Sequence, residues 1–341
     1  MKLSIIIVNW NTRELLKKCL ESVMQETRTS YEVFVVDNAS PDGSAGMVRA
    51  DFPTVQLIAN TTNRGFAAAN NQAIHLARGE YVLLLNPDTK VLDRAIDTLV
   101  AYLDSAPEVG AVTSKLLNGD GSLQKNVGNF YSFWATLLEN RIFPTLFPNS
   151  AFLAKRFVAF WDHASLREID WARGAVMMVR RKVIEQIRLL DEQFYIYGEE
   201  VDWCWRIKKA GWKIMYLPEA RIIHYGKAAS SQRKIEMFIQ NYKSAFIFLK
   251  KSYPLYSYWL YRLRTTFYSA LWLIRYGLPS LVAPKDTKRY AELKSGFDVY
   301  AKFFFWNLSR KSWITVMTQE ARLDGQSIAE EVLLEKVHAL K

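Results

Sequence analysis

Apolar residues recur at two different periods over the first two thirds of the chain, and the change of period marks its elements. Short unbroken apolar runs occur at Leu3 to Asn9, Tyr31 to Asp37, Val55 to Ala59, Val82 to Leu85 and Val109 to Ser114. Runs without polar alternation read as strands buried on both faces. Between them apolar residues return every three or four positions. Leu15, Leu16, Cys19, Leu20 and Val23 make one helical face, and Asn11 with Glu14 three residues on predicts a capping-box start. An alanine-rich helix is predicted from Phe66 to Arg78, closed by Gly79, and another from about Asp93 to Asp104. Strand alternating with helix in this way predicts an α/β fold with a parallel sheet and right-handed crossovers.

The pattern weakens from Gly119 to about Leu166, where aromatics with Pro144 and Pro148 suggest a long connection carrying short helices. It returns as a strand within Trp171 to Arg181, a helix from Glu199 to Ala210 set between Gly198 and Gly211, and a strand from Trp212 to Leu217. Ile222-Ile223-His224-Tyr225 closes the ordered part.

Length and composition fit this picture. At 341 residues, half of them hydrophobic, the chain supports one large core with an appended region. No charged-then-apolar leader precedes Leu3, so no secretory signal is expected. Cys19 and Cys204 are the only cysteines, which argues against a disulfide framework or a thiolate metal site and fits a reducing cytoplasm.

Charge changes the picture at the far end. The net charge is +11, and Met237 to Lys285 carries seven Lys or Arg and no acid, among many aromatics. The uncharged stretch from Thr265 to Ile274 is far short of the ~20 residues needed to span a bilayer. With Arg262, Arg264 and Arg275 flanking it, it predicts an amphipathic helix at an anionic membrane surface with snorkelling arginines. A helical subdomain packed on the core explains the same aromatics, and nucleic-acid binding explains the same charge, although no nucleic-acid fold motif is present. Phe303 to Trp306 and a last amphipathic helix from Ile328 to Leu340 suggest an interaction surface or a homodimer contact.

The chemistry concentrates at strand ends. No Gly-x-Gly-x-x-Gly follows the first strand and no phosphate-binding Gly-Lys-Ser/Thr loop occurs, which disfavours a dinucleotide dehydrogenase and a P-loop NTPase. Acids close the strands instead, Asp37 in one turn and Asp88 in Asn86-Pro87-Asp88. Carboxylates hold phosphates only through a divalent cation, and turn capping accounts for either residue equally well. Glu199, Glu200 and Asp202 crowd the first turn of a helix, where the dipole alone favours acids. Asp202 and Arg206 are spaced to pair along it. Glu199 and Glu200, as neighbours, should point in different directions, one toward a cleft and one capping. His224 is a lone histidine, a structural residue unless other ligands converge on it.

Taken together these residues resemble the family 2 inverting glycosyltransferases of the GT-A fold, in the rhamnosyltransferase-like branch. The matching stretches are Ile6 to Asn11, Val35 to Ser40, Asn63-Arg64-Gly65-Phe66 with Asn70-Asn71, Leu85 to Asp88, Gly174-Ala175 and Gly198 to Asp202. The resemblance implies a GT-A domain over residues 1–235, with a mostly parallel sheet sandwiched by helices. Residues 236–341 then form a helical, membrane-surface region. It implies that Asp37 binds the base of a UDP- or dTDP-sugar, with Asn9, Asn63, Arg64, Gly65, Asn86 and Gly174 around the nucleotide. Asp88 and His224 would hold Mn²⁺ or Mg²⁺, and Glu200 would be the catalytic base. The implied acceptor is a glycan or polyprenyl-linked sugar at the cytoplasmic membrane face, the best donor rhamnose, and nucleic acid no partner. A sugar-phosphate nucleotidyltransferase shares such a core, but Val8 to Thr12 lacks the glycine-rich, arginine-containing loop of that class.

Overall fold

The computed structural model describes residues 1–130, 150–226 and 234–309. The chain divides into two compact units between Gln232 and Arg233. Pro144, Pro148 and the helix expected at 328–340 lie outside the described residues.

The first unit begins β1 (Leu3–Asn9), α1 (Arg13–Glu26), β2 (Tyr31–Asp37), α2 (Ser44–Asp51), β3 (Gln56–Ala59) and α3 (Phe66–Leu76). It continues β4 (Tyr81–Leu85), β5 (Thr89–Val91), α4 (Ala95–Ser105) and β6 (Val109–Leu117). Short pieces follow: β7 (Leu123–Gln124), β8 (Val127–Gly128), α5 (Ala151–Arg156), β9 (Arg167–Glu168) and β10 (Trp171–Ala172). It ends with β11 (Val176–Arg180), α6 (Arg181–Ile187), α7 (Glu199–Lys209) and β12 (Lys213–His224).

One ten-stranded sheet runs β3-β2-β1-β4-β11-β6-β12-β5, with β7 added to β6 and β9 to β12. β3, β2, β1 and β4 are parallel, and so are β6 and β12. The fold is the α/β class expected. Within this mostly parallel sheet the short strands β5, β7 and β9 pair antiparallel, and so does β11, which lies between β4 and β6. An apolar run reports burial and not direction, so its sequence could not reveal this. The reversal has a use: it delivers Gly174-Ala175, at the start of β11, to the edge where β1, β2 and β4 end.

Alternate residues of each strand feed opposite faces. Leu3, Ile5 and Ile7 pack with Leu16, Leu20, Val48 and Leu99 from α1, α2 and α4. Ile6 and Val8 pack with Ala69, Ile184 and Trp203 from α3, α6 and α7. β4 lies in the middle, and no residue from Tyr81 to Leu85 is more than 2% exposed. Burying each such leucine contributes roughly 1.5–3 kcal/mol, so the strand is a rigid base for whatever follows it.

Several local expectations are corrected. Asn11 is left-handed (φ 54°) and caps nothing; α1 starts after Thr12, whose side chain makes no cap. Asp42 replaces that cap from another loop. Its Oδ2 accepts from Arg13 N at 2.9 Å and its Oδ1 from Ser44 N at 3.0 Å, serving the starts of α1 and α2 together. α3 ends at Leu76 because Ala77 is already extended, so Gly79 is not its cap. β12 does not stop at Leu217. The register shifts between Leu217 and Arg221, because Pro218 has no N–H to give, and the strand resumes to His224. α2 and β5 have no counterpart among the expected elements.

The second unit contains α8 (Lys234–Ser252), α9 (Leu255–Val282) and α10 (Lys288–Leu308). Aromatics join them: Phe238 meets Phe303 edge-on at 5.5 Å, and Trp272 stacks on Tyr300 at 5.5 Å. Arg262 does not snorkel. It is 5% exposed, donates to Tyr258 Oη at 2.7 Å and to the Asn307 carbonyl, and so ties α9 to α10. Among the described residues no helix is long and apolar enough to cross a membrane.

Candidate active site

The carboxyl ends of parallel strands are where open α/β sheets place ligands. β1 and β2 are in register, Asn9 opposite Asp37, so their last side chains meet. Asn9 Nδ2 donates to Asp37 Oδ1 at 2.9 Å, and Ser40 N donates to Asp37 Oδ2 at 3.0 Å. Thr12 Oγ1 in turn donates to Asn9 Oδ1 at 2.6 Å, which fixes the amide. Each Asp37 oxygen thus has one partner and keeps a second lone pair.

Asn38 stitches the next loop to this corner. Its Nδ2 donates to Gly65 O at 3.1 Å, and its Oδ1 accepts from Arg64 N at 3.1 Å. Asn63 is a turn residue here, its Oδ1 accepting from Gly65 N at 2.9 Å. Gly65 has φ 80°, and a Cβ on it would lie 2.5 Å from Tyr195 O, so only glycine fits. The Arg64 side chain is exposed.

Asp88 and His224 are brought together by β5. That strand pairs antiparallel with the end of β12, His224 opposite Thr89, and Tyr225 N donates to Asp88 O at 2.9 Å. Asp88 Oδ1 lies 3.2 Å from His224 Nε2, both side chains nearly buried. Gln124 decides the imidazole. Its Nε2 donates to Asn118 Oδ1 (2.9 Å) and to His224 O (3.0 Å), so its Oε1, 2.6 Å from His224 Nδ1, must accept. Nδ1 therefore carries a hydrogen and Nε2 faces Asp88. This is the outer-shell arrangement that aims an imidazole at a cation. Asn86 contributes no charge, and its Nδ2 lies 3.4 Å from His224 Nε2. Under this turn Thr89 Oγ1 donates to Asn86 O at 2.7 Å and the Cys19 thiol sits 3.3 Å from Thr89 Oγ1. Burial pushes that thiol up to about 12, so it packs as a neutral group.

Glu199 and Glu200 were expected to diverge. Instead both are buried, 3% and 9% exposed, and their carboxyls are in contact. The left-handed Gly198 (φ 90°) starts α7 so abruptly that Glu200 Oε2 folds back to accept from Gly198 N at 2.9 Å. Burial raises the proton affinity of both. Glu199 is raised well above the carboxylate range by burial and then by the charge of Glu200. Glu200, raised by burial, is partly restored by backbone N–H groups, a hydrogen bond from Glu199 and the positive charge of Arg173. Of the two, Glu199 is the more strongly raised. Asp202 pairs with Arg206 at 2.8 Å as its spacing implied.

These groups form one connected edge. Asn38 holds Gly65, Phe66 lies 3.2 Å from where a Gly174 Cβ would sit, and Glu200 Cβ lies 4.0 Å from the same point. Asn86 N donates to Ala175 O at 2.9 Å, and Asn86 reaches His224. Gln124, Thr12 and Arg173 had no sequence signal: Gln124 acts on a residue 100 positions away. Among the described residues no group of three or more His, Cys, Asp or Glu gathers around one point. Asp88 and His224 therefore fit a hard cation as two of its ligands, and not as part of an all-protein cage.

Residues 4–166 match the family model Glycosyl transferase family 2. The chain is 26% identical over 287 residues to the N-acetylglucosaminyl-diphospho-decaprenol L-rhamnosyltransferase of Mycobacterium tuberculosis, covering 79% of this chain and 90% of that one. It is 28% identical over 211 residues to a low-salt glycan biosynthesis hexosyltransferase of Haloferax volcanii, 61% of this chain and 62% of that one. In fold it is similar to a mannosyltransferase from Pyrobaculum calidifontis solved with GDP-Man and Mn²⁺ (TM-score 0.50, 17% identity, 99% of this chain and 80% of that one). It is also similar to GalNAc-T7 solved with UDP, GalNAc and Mn²⁺ (TM-score 0.52, 15% identity, 92% and 57%).

Proposed function

We propose that this chain, which belongs to the family 2 glycosyltransferases in their rhamnosyltransferase-like branch, with the GT-A fold, moves rhamnose from a nucleoside-diphosphate donor to a polyprenyl-diphosphate-linked sugar at the cytoplasmic face of a membrane. The similarity to a relative named for rhamnosyl transfer onto N-acetylglucosaminyl-diphospho-decaprenol supports this donor and acceptor. The observation that carries the reading is the meeting of Asp88 with His224 on the sheet edge that also holds Asp37 and the buried glutamate pair.

In this reading Asp37 accepts the imide N3–H of uracil or thymine through a free lone pair, while Asn9 and Ser40 hold its carboxylate still. Asn63, Gly65 and Asn38 set the loop from which Arg64 faces the nucleotide. Asp88 and His224 would hold Mn²⁺ or Mg²⁺. Bound there, the ion neutralises charge on the diphosphate and makes it a better leaving group. Glu200, the more easily ionised of the pair, takes the proton of the acceptor hydroxyl as the new C1–O bond forms. The C1–O bond to the diphosphate breaks in the same step, its electron pair leaving with the nucleoside diphosphate. One base and no covalent intermediate give inversion at C1.

A thermal-shift screen of UDP- and dTDP-sugars, each with and without Mn²⁺, tests the reading. A bound donor raises the melting midpoint by mass action, and the rise should be larger with Mn²⁺. Asp88→Ala should lose the metal-dependent part alone. No rise with any nucleotide-sugar would overturn the proposal.

A further inference from the structure

α9 is built with its polarity inverted. Its buried residues are Tyr258, Arg262, Thr265 and Ser269, spaced by four and three. That polar face packs on α10, where Asn307 Nδ2 donates to Thr266 Oγ1 at 2.7 Å and Arg262 donates to the Asn307 carbonyl. The outward face is apolar instead. Leu260, Leu263, Phe267, Leu271, Ile274 and Leu278 recur at steps of three and four and are 46–69% exposed. A helix on a water-facing surface has the reverse arrangement. At 1.5 Å per residue this stripe is about 27 Å long, a contiguous apolar strip of the kind that marks an interaction site.

We propose that this face of α9 lies in the headgroup layer of an anionic lipid bilayer, an inference that rests on the proposed function only in giving that membrane contact a purpose. Charge selects the occupant. Met237 to Lys285 contains no Asp or Glu, and Arg264 and Arg275 are exposed on the same side of the stripe. A second copy docked on the stripe would set arginine against arginine, with no acid from this span between them. Anionic headgroups supply the opposite charge. α9 is too polar to cross the bilayer, so it lies along the surface with its leucines and Phe267 inserted and its arginines at the phosphates.

The test is flotation of the full chain, without donor or acceptor, on phosphatidylcholine vesicles and on vesicles containing phosphatidylglycerol. The chain should float with the anionic vesicles and much less with the neutral ones, and high salt should weaken binding. The triple variant Leu263→Gln, Phe267→Gln, Leu271→Gln should partition on the order of 100-fold less while keeping the native circular dichroism. Because Cys19 and Cys204 are buried, a fluorophore on Leu271→Cys reports this face alone. It should shift to an apolar environment only when anionic vesicles are added, and one on the exposed Lys294→Cys should not. Three results would overturn the proposal: no flotation, unchanged flotation of the triple variant, or a Leu271 probe already apolar without lipid, which would mean a second copy or residues 310–341 on the stripe. Loss of sugar transfer with flotation intact would count against the proposed function and not against this face.

Discussion

Glu199 and Glu200 differ by one position and by one hydrogen bond, and that is enough to divide their roles. Gly198 N–H and the Arg173 charge favour ionised Glu200, while Glu199 has only its own backbone N–H to favour the charge, and its Oε2 is buried without a partner. Glu200→Gln should lower turnover by about 10²- to 10⁴-fold, with donor binding by calorimetry unchanged; full turnover would remove Glu200 as the base. Activity should also fall as pH drops through the raised Glu200 value, since the base must be ionised. Glu199 has a separate signature in stability. Its folded proton affinity lies above the unfolded one, so the folded state holds a proton that the unfolded chain releases. Stability is then full below the unfolded value and is lost as pH rises through the folded one. Glu199→Gln should melt higher than the parent at about pH 8 and show little gain at about pH 5. A parallel offset at both would mean that Glu199 is already ionised.

At the scale of elements, the site is assembled by strand ends and by loops that borrow their caps. Asp42 serves two helices with one carboxylate, and hydrogen bonds from Ser44 and from backbone N–H groups hold its proton affinity below the usual range despite partial burial. Asp42→Ala should cost about 1–2 kcal/mol in urea unfolding, the loss of a helix cap. A neutral result would show that water replaces the carboxylate at both helix starts. β5 is the more consequential element. Only three residues long, it follows Asn86-Pro87-Asp88 directly and pairs with the last residues of β12. Asp88 and His224 meet because those two backbones pair. Their distance is therefore a property of the sheet and not of two flexible side chains.

For the whole molecule, chemistry and charge are divided between two compact units. The expected donor and metal residues, from Asn9 to His224, all belong to Met1–Gln232, whereas the acid-free basic stretch from Met237 to Lys285 belongs to the second unit. A fragment of residues 1–232 should give a cooperative melt and the same Mn²⁺-dependent response to donor as the full chain, yet fail to float with anionic vesicles. Loss of the donor response in that fragment would mean that the second unit completes the nucleotide site.

The sequence by itself determined the strand–helix order of the first unit, the buried character of β1, β2 and β4, and the acids that close β2 and follow β4. These are local properties: an unbroken apolar run must be covered, and Pro87 must end its strand. It also determined the Asp202–Arg206 pair, because helical spacing alone places those side chains together. Tertiary structure decided the rest. The direction of β11, the pairing of β5 with β12 and the hold of Gln124 on His224 depend on which backbones meet, a choice made by packing over long separations. The same holds for Glu199 and Glu200, where the left-handed turn at Gly198 overrides their helical divergence. It holds most plainly for α9. The sequence gives its leucines and arginines a period, but only the packing of Arg262, Thr265 and Ser269 on α10 determines that the leucines are the residues turned outward.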